Sequence, residues 1–192
     1  GLLFALFSVC QFGSTPIIGR LSDKYGRKPL LLISLVGTFL SFVMMAFAPS
    51  AIFLFIARAL DGITAGNIPV ASAVISDTTP PESRAKGFGL IGAAFGFGFV
   101  FGPVISALTV SINPALPFLI AAAVTAVAVL LTAVILPETN KHIGQISEAK
   151  LFDFRHLVGH LFDDRVGKTL LISLLYSLSF SLFIYAYQPF SV

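Results

Sequence analysis

The chain has 192 residues, 56% hydrophobic and 11% charged, with a mean hydropathy of +0.95 and a net charge of +3. A soluble domain carries about 25% charged residues to face water, so this chain is not one, and disorder, collagen and coiled coil fail on the same composition. A single cysteine, Cys10, excludes a disulfide framework and a thiolate metal cage, and so small a charge gives no reason to expect nucleic acid as a partner.

A helix needs about 20 apolar residues to cross about 30 Å of hydrocarbon. Six runs have the length and character of such a span, at about 1–19, 29–48, 51–76, 85–110, 114–136 and 169–190. Strands of a membrane barrel would be half as long and alternate in polarity, and these do not. The expected fold class is therefore all-α and transmembrane, with the lipid bilayer as its first partner.

The second and third runs meet at Pro49-Ser50, the fourth and fifth at Ser111-Ile112-Asn113-Pro114, and neither joint carries a charge. The first and second are joined across Arg20, Lys24, Arg27 and Lys28, and the third and fourth across Arg84 and Lys86. The long connection near 137–168 holds Lys141, Lys150, Arg155, Arg165 and Lys168. Eleven of the twelve Lys and Arg thus fall on alternate joints, on one side of the membrane, and basic loops remain cytoplasmic. The chain reads as a multi-pass protein of the cell membrane. In that orientation the first run starts outside, with no initiator Met, basic stretch or signal cleavage site before it. At least one upstream helix is expected, so the chain reads as an internal fragment whose partner is the rest of the same polypeptide.

Along the chain, Pro16 lies near the C-terminal end of the first run. Residues 19–31 then read Gly-Arg-Leu-Ser-Asp-Lys-Tyr-Gly-Arg-Lys-Pro-Leu-Leu. Gly19 and Gly26 permit a tight reversal, and Pro29 suits the first turn of the next helix. Asp23, one acid among four bases, would be paired in any compact arrangement.

Within the third run Arg58 is the only base inside a span, and Asp61, three residues on, shares nearly its face. A lone charge there costs about 2.5–3.5 kcal/mol on insertion scales. Two readings stand: a structural ion pair that neutralises itself, or a cavity-lining pair whose carboxylate changes proton state when its partner moves. Asn67 projects to the opposite side of an ideal helix from Arg58, although a kink at Pro69 would redirect it. Asp77 ends the run, where a carboxylate opposes the helix dipole and needs a basic partner; a solvated loop acid is the alternative.

The fourth run contains Gly87-Phe88-Gly89-Leu90-Ile91-Gly92, which fits G-x-G-x-x-G. A dinucleotide site needs a preceding strand and an acid about 20 residues on, and position 112 is Ile. The glycines at 92, 96, 98 and 102 instead suit close helix packing, and Gly102-Pro103 would bend the helix near its outer end. In the connection at 137–168, Leu151, Phe154, Val158, Leu161 and Phe162 fall at helical spacing. They describe either a regulatory helix or an amphipathic helix lying on the inner membrane face. His156 and His160 lack the acid of a metalloprotease motif, so no metal site is expected. The last run carries Ser173, Ser177, Ser181 and Gln188 on one arc, either lining a solute path or bonding to other helices; Tyr185 and Tyr187 are candidate interface anchors.

Several of these motifs resemble a known family. Residues 19–28 match the G-x-L-x-D-x-x-G-R-[RK] loop that joins the second and third helices of the major facilitator superfamily. Arg58 to Gly62 resembles its R-x-x-x-G element, Gly98 to Pro103 its G-x-x-x-G-P antiporter element, and Leu136-Pro137-Glu138-Thr139 its P-E-[ST] ending. The resemblance covers helices two to seven of twelve and lies nearest the drug-proton antiporter branch that includes the tetracycline effluxers. It departs at Ser106-Ala107, where Gly-Gly is usual, and at Ser41, where the tetracycline exporters carry an acid. The resemblance implies five helices of an N-terminal bundle over 1–136, a central cytoplasmic connection over 137–168 and the first helix of a second bundle over 169–192. It also implies that Asp23 latches the outward-open state, and that Arg27 pairs with Asp23 and with Asp77.

The expected function is secondary active transport of a small solute by alternating access, as proton-coupled export. No soluble catalytic domain and no enzyme activity are expected, and no cofactor beyond the proton as coupling ion. Asp23, Arg27, Asp77, Gly19 and Gly26 would form the gate. Arg58, Asp61, Asn67, Ser173 and Ser177 would line the solute or proton path, and Gly98, Gly102 and Pro103 would serve kinking and packing. A facilitator or uptake porter of the same fold is one alternative, and a non-transporting receptor or scaffold another.

Overall fold

The computed structural model of the chain describes residues 1–141, 143 and 167–187. Helices α1 (Leu2–Tyr25), α2 (Arg27–Ala46), α3 (Ala51–Thr64), α4 (Asn67–Thr78), α5 (Arg84–Val110) and α6 (Leu116–Ile135) follow one another, with a short 3-10 turn, Pro81–Ser83, before α5. The chain divides into two compact units, Gly1–Ser147 and Glu148–Val192. In the second, the described helix is α7 (Gly167–Tyr187). The expected amphipathic helix over 151–162, His156, His160 and Gln188 lie outside the described residues.

Among the described residues, five helices are long and apolar enough to cross a membrane: Leu2–Tyr25, Arg27–Ala46, Ala51–Thr78, Pro81–Val110 and Leu116–Ile135. The third is α3 and α4 taken together. Within the first unit α2 packs against α3 and α6, α1 packs against α3, and α5 rests more lightly on α4 and α6.

The interior is built from small residues, with Ser14, Ser22, Ser34, Ser41, Ala57 and Ala122 buried while large side chains such as Phe12, Ile52 and Val134 face outward. Lipid tails are as apolar as leucine, so helices in a bilayer associate through close packing and interhelical hydrogen bonds. Ser14 Oγ donates to the Gly62 carbonyl at 2.8 Å and Ser41 Oγ to the Ala57 carbonyl at 2.9 Å. Gly62 makes the first contact possible, because a Cβ there would meet Cys10 and the Phe7 carbonyl. Ser41, at the position where the resemblance places an acid, is thus fully buried between α2 and α3.

Three expectations about local structure change. The first helix does not end near residue 19: Arg20, Asp23 and Lys24 continue it to Tyr25, and the reversal occurs at Gly26 alone. Gly19 sits inside α1 with open space beside it, so it has no part in the turn. A helix can continue past the hydrocarbon, and an apolar scan marks only where the lipid-facing part ends. The second change is at Pro69, whose effect falls upstream, where the span breaks at Ala65-Gly66. Its ring lacks the N–H that would bond to the carbonyl four residues back, that of Ala65. The third is α5, which runs through Pro103 without interruption, and whose Gly92, Gly96, Gly98 and Gly102 meet no described neighbour within 4 Å. The G-x-G-x-x-G match lies inside this helix and forms no loop.

Candidate functional site: a charge network and a cavity at a helix break

At one end of the first unit α1 turns into α2, α4 gives way to α5, and α6 ends. Arg27, the first residue of α2, occupies the centre of this charged end. Its Nε donates to Asp77 Oδ2 at 3.0 Å, its Nη1 donates to Ser22 Oγ at 2.8 Å, and Nη1 also pairs with Asp23. A planar guanidinium with several fixed donors can hold three partners at once, as an ammonium cannot. It joins α1, α2 and α4. Ser22 is 1% exposed and passes its own proton to the Gly19 carbonyl at 2.6 Å. It occupies a variable position of the loop pattern, which is why the motif alone does not mark it.

A second group at this end comes from the segment after α6. Glu138 Oε1 accepts the Arg27 N–H at 2.8 Å and Oε2 accepts the Lys28 N–H at 3.1 Å, so the carboxylate caps α2. Asn140 Nδ2 donates to the Asp23 carbonyl at 2.7 Å and to that of Ser22 at 3.4 Å, capping the end of α1. Gly26 between them has φ 106°, and a Cβ there would collide with the Glu138 carboxylate. Burial raises the Glu138 carboxyl, but backbone N–H donors from Asn140, Arg27, Lys28 and Thr139 outweigh it and hold the group below its ordinary range. Residues 137–140 therefore belong with the bundle rather than with the long connection. A physical signal for this exists in the sequence: the first turn of α2 carries Arg27 and Lys28 and no acid. That is the wrong sign for a helix N-terminus, so an acid from elsewhere is needed. Arg84 completes the set, donating to the carbonyls of Ser76 at 3.1 Å and Thr79 at 3.4 Å at the end of α4.

The second constellation lies within the spans. Arg58 Nη1 is 3.3 Å from Asp61 Oδ2, and the Arg58 guanidinium rests 5.9 Å from the centre of the Phe7 ring. Thr38 also hydrogen-bonds the Asp61 carboxylate. Asp61 opens on a cavity of about 360 Å³ whose walls include Phe7, Gln11, Thr38, Asn67 and Phe95. The helix break brings Asn67 to the same cavity as Asp61, which an unbroken helix would not. At the break Thr64 Oγ1 returns to the Leu60 carbonyl at 2.9 Å, and the Gly66 N–H to the Thr64 carbonyl at 2.7 Å. Ser34 Oγ and Asn67 Oδ1 are buried there without a hydrogen-bond partner among the described residues.

Other hollows carry less chemistry. A larger groove of about 450 Å³ runs along α5 past Phe95, Gly98 and Phe99 and is lined by apolar residues. Ser177 and Ser181 line a groove of about 350 Å³ on α7, and Ser173 is exposed on the same helix.

Comparison with known proteins agrees with this architecture. The Major Facilitator Superfamily model matches residues 1–191. The tetracycline resistance protein, class H, of Pasteurella multocida is 40% identical over 141 residues, covering 73% of this chain and 35% of that protein. The class E protein of Escherichia coli is 40% identical over 148 residues, covering 77% and 36%. The crystal structure of the human organic anion transporter MFSD10 (TETRAN) superposes with a TM-score of 0.67 at 34% identity, covering 72% of this chain and 32% of that one. The chain spans about a third of the length of the curated relatives it matches. On the helices, their packing and these matches, the chain belongs to the major facilitator superfamily.

Proposed function

We propose that this chain forms part of a secondary active transporter that moves a small solute by alternating access, with export coupled to protons. The observation that carries the reading is the convergence on Arg27. One guanidinium ties three helices together at one end of the bundle, and the strap after α6 holds its backbone. Such a network is a two-state element: it is made in one arrangement of the bundle and broken in another, which a rocking mechanism requires. Asp23, 55% exposed on its side chain, is free to meet a second bundle. The alternation of basic and uncharged joints supports a cytoplasmic position for this end. Resistance in the names of the relatives supports export, and Asp61, a carboxylate inside a span beside Arg58, is the proposed proton-exchanging group.

The test uses the full-length protein in inside-out membrane vesicles, with a fluorescent reporter of the proton gradient and tetracycline as the first candidate solute. Addition of solute should dissipate the gradient, and Asp23→Asn should abolish that response while leaving protein abundance unchanged. Undiminished transport by Asp23→Asn would remove the gate from the account.

A further inference from the structure

The cavity at the α3–α4 break has an electrostatic character that selects a class of solute. Asp61 is the one charged residue in its wall, and Arg58 already holds that carboxylate from outside the lining. The pair therefore presents no net charge to the cavity. An ion entering from water would leave its hydration behind and find no counter-charge; the insertion cost of an unpaired charge corresponds to roughly a hundredfold in affinity. The uncommitted polar groups are both carboxamides. Gln11 has no recorded partner for its side chain, and Asn67 Oδ1 is buried with its hydrogen-bonding capacity unused. An unused buried acceptor is costly, and rotating the carboxamide would present it to a ligand donor. Phe7 and Phe95 add flat apolar surface.

We propose that this cavity binds an uncharged, planar solute through amide-type donor and acceptor pairing with Gln11 and Asn67, and that the Arg58–Asp61 pair discriminates against organic ions of either sign. The proposal rests on the carrier reading and deepens it by naming the solute class. It also sets this chain apart from the organic anion transporter it resembles, since the wall carries a carboxylate and no cation.

The test is equilibrium binding to purified full-length protein in lipid nanodiscs, with four probes that share one naphthalene fluorophore. Dansylamide is uncharged and carries sulfonamide N–H donors; its N,N-dimethyl form has none. Dansic acid is an anion, and the trimethylammonium-ethyl sulfonamide is a cation. Dansylamide should bind tightest, the dimethyl form about tenfold more weakly, and both ions roughly a hundredfold more weakly. Asn67→Leu should reduce dansylamide binding to the level of the dimethyl form and leave that form unaffected. Gln11→Leu, on a different helix, should act in the same direction and serves if the first variant fails to fold. Arg58→Gln should improve binding of the cation by leaving Asp61 unpaired. Equal binding of all four probes, tighter binding of either ion, no binding of dansylamide, or insensitivity to both leucine variants would overturn the proposal. Absence of transport with binding intact would instead remove the carrier reading and leave the site standing.

Discussion

The Glu138 carboxylate occupies the space that a side chain at residue 26 would fill, which makes Gly26 and Glu138 a single fitted unit across more than a hundred residues of chain. Gly26 has a backbone conformation open essentially to glycine alone, with φ 106° and ψ 157°. Gly26→Ala should therefore destabilise the folded protein by about 1–3 kcal/mol through backbone strain. It also displaces the cap. Thermal unfolding of the full-length protein checks the loss, and the double variant with Glu138→Ala should recover only the steric part.

Glu138 itself gives a dependence on pH. Its folded-state carboxyl lies below its unfolded value, so its stabilising contribution is present above the unfolded pKa and is lost as pH falls through the folded one. Glu138→Gln should lower stability near neutral pH by about 0.3–1 kcal/mol, the usual size of a helix-terminus charge. In acid the variant and the parent should converge. Melting curves recorded across that range would show it, and a difference that grew in acid would contradict the sign.

The two ion pairs of Arg27 should differ in strength. Asp77 is 28% exposed on its side chain and Asp23 55%, and solvent screening weakens the more exposed pair. Double-mutant cycles should give a larger coupling for Arg27–Asp77 than for Arg27–Asp23. Arg27→Lys should cost most of the coupling to both, because one ammonium cannot reproduce the geometry of Nε and Nη1.

Much of this was legible before any coordinates. Spans follow from length and hydropathy, and the charged end follows from where the bases fall. Asp23, Arg27 and Asp77 could be placed at one end because charge there has few alternatives. Ser22 and Glu138 were harder, since each acts on a distant or backbone group that no side-chain pattern encodes. The break at Ala65-Gly66 was half legible: Pro69 marks a disturbed helix, but the missing bond belongs to a carbonyl one turn earlier. Gly19 misled because a glycine at the end of an apolar run looks like a turn, while the helix continues on charged residues.

Arg58 and Asp61 separate stability from function. Removing either leaves an uncompensated charge inside a span, so Arg58→Gln or Asp61→Asn alone should reduce folded yield, by about 3–5 kcal/mol if the partner remains buried. The double variant should recover yield and thermal stability without recovering proton-coupled flux. Restored flux in the double variant would make the pair purely structural.

Orientation tests the account most directly, because a gate of cationic helix ends has meaning only if those ends face the cytoplasm. Single cysteines at Lys24 and Ser111, in an otherwise cysteine-free full-length protein, would be exposed to a membrane-impermeant maleimide on intact cells. The account predicts labelling of Ser111→Cys at once and of Lys24→Cys only after the cells are permeabilised. Labelling of Lys24→Cys in intact cells would contradict it.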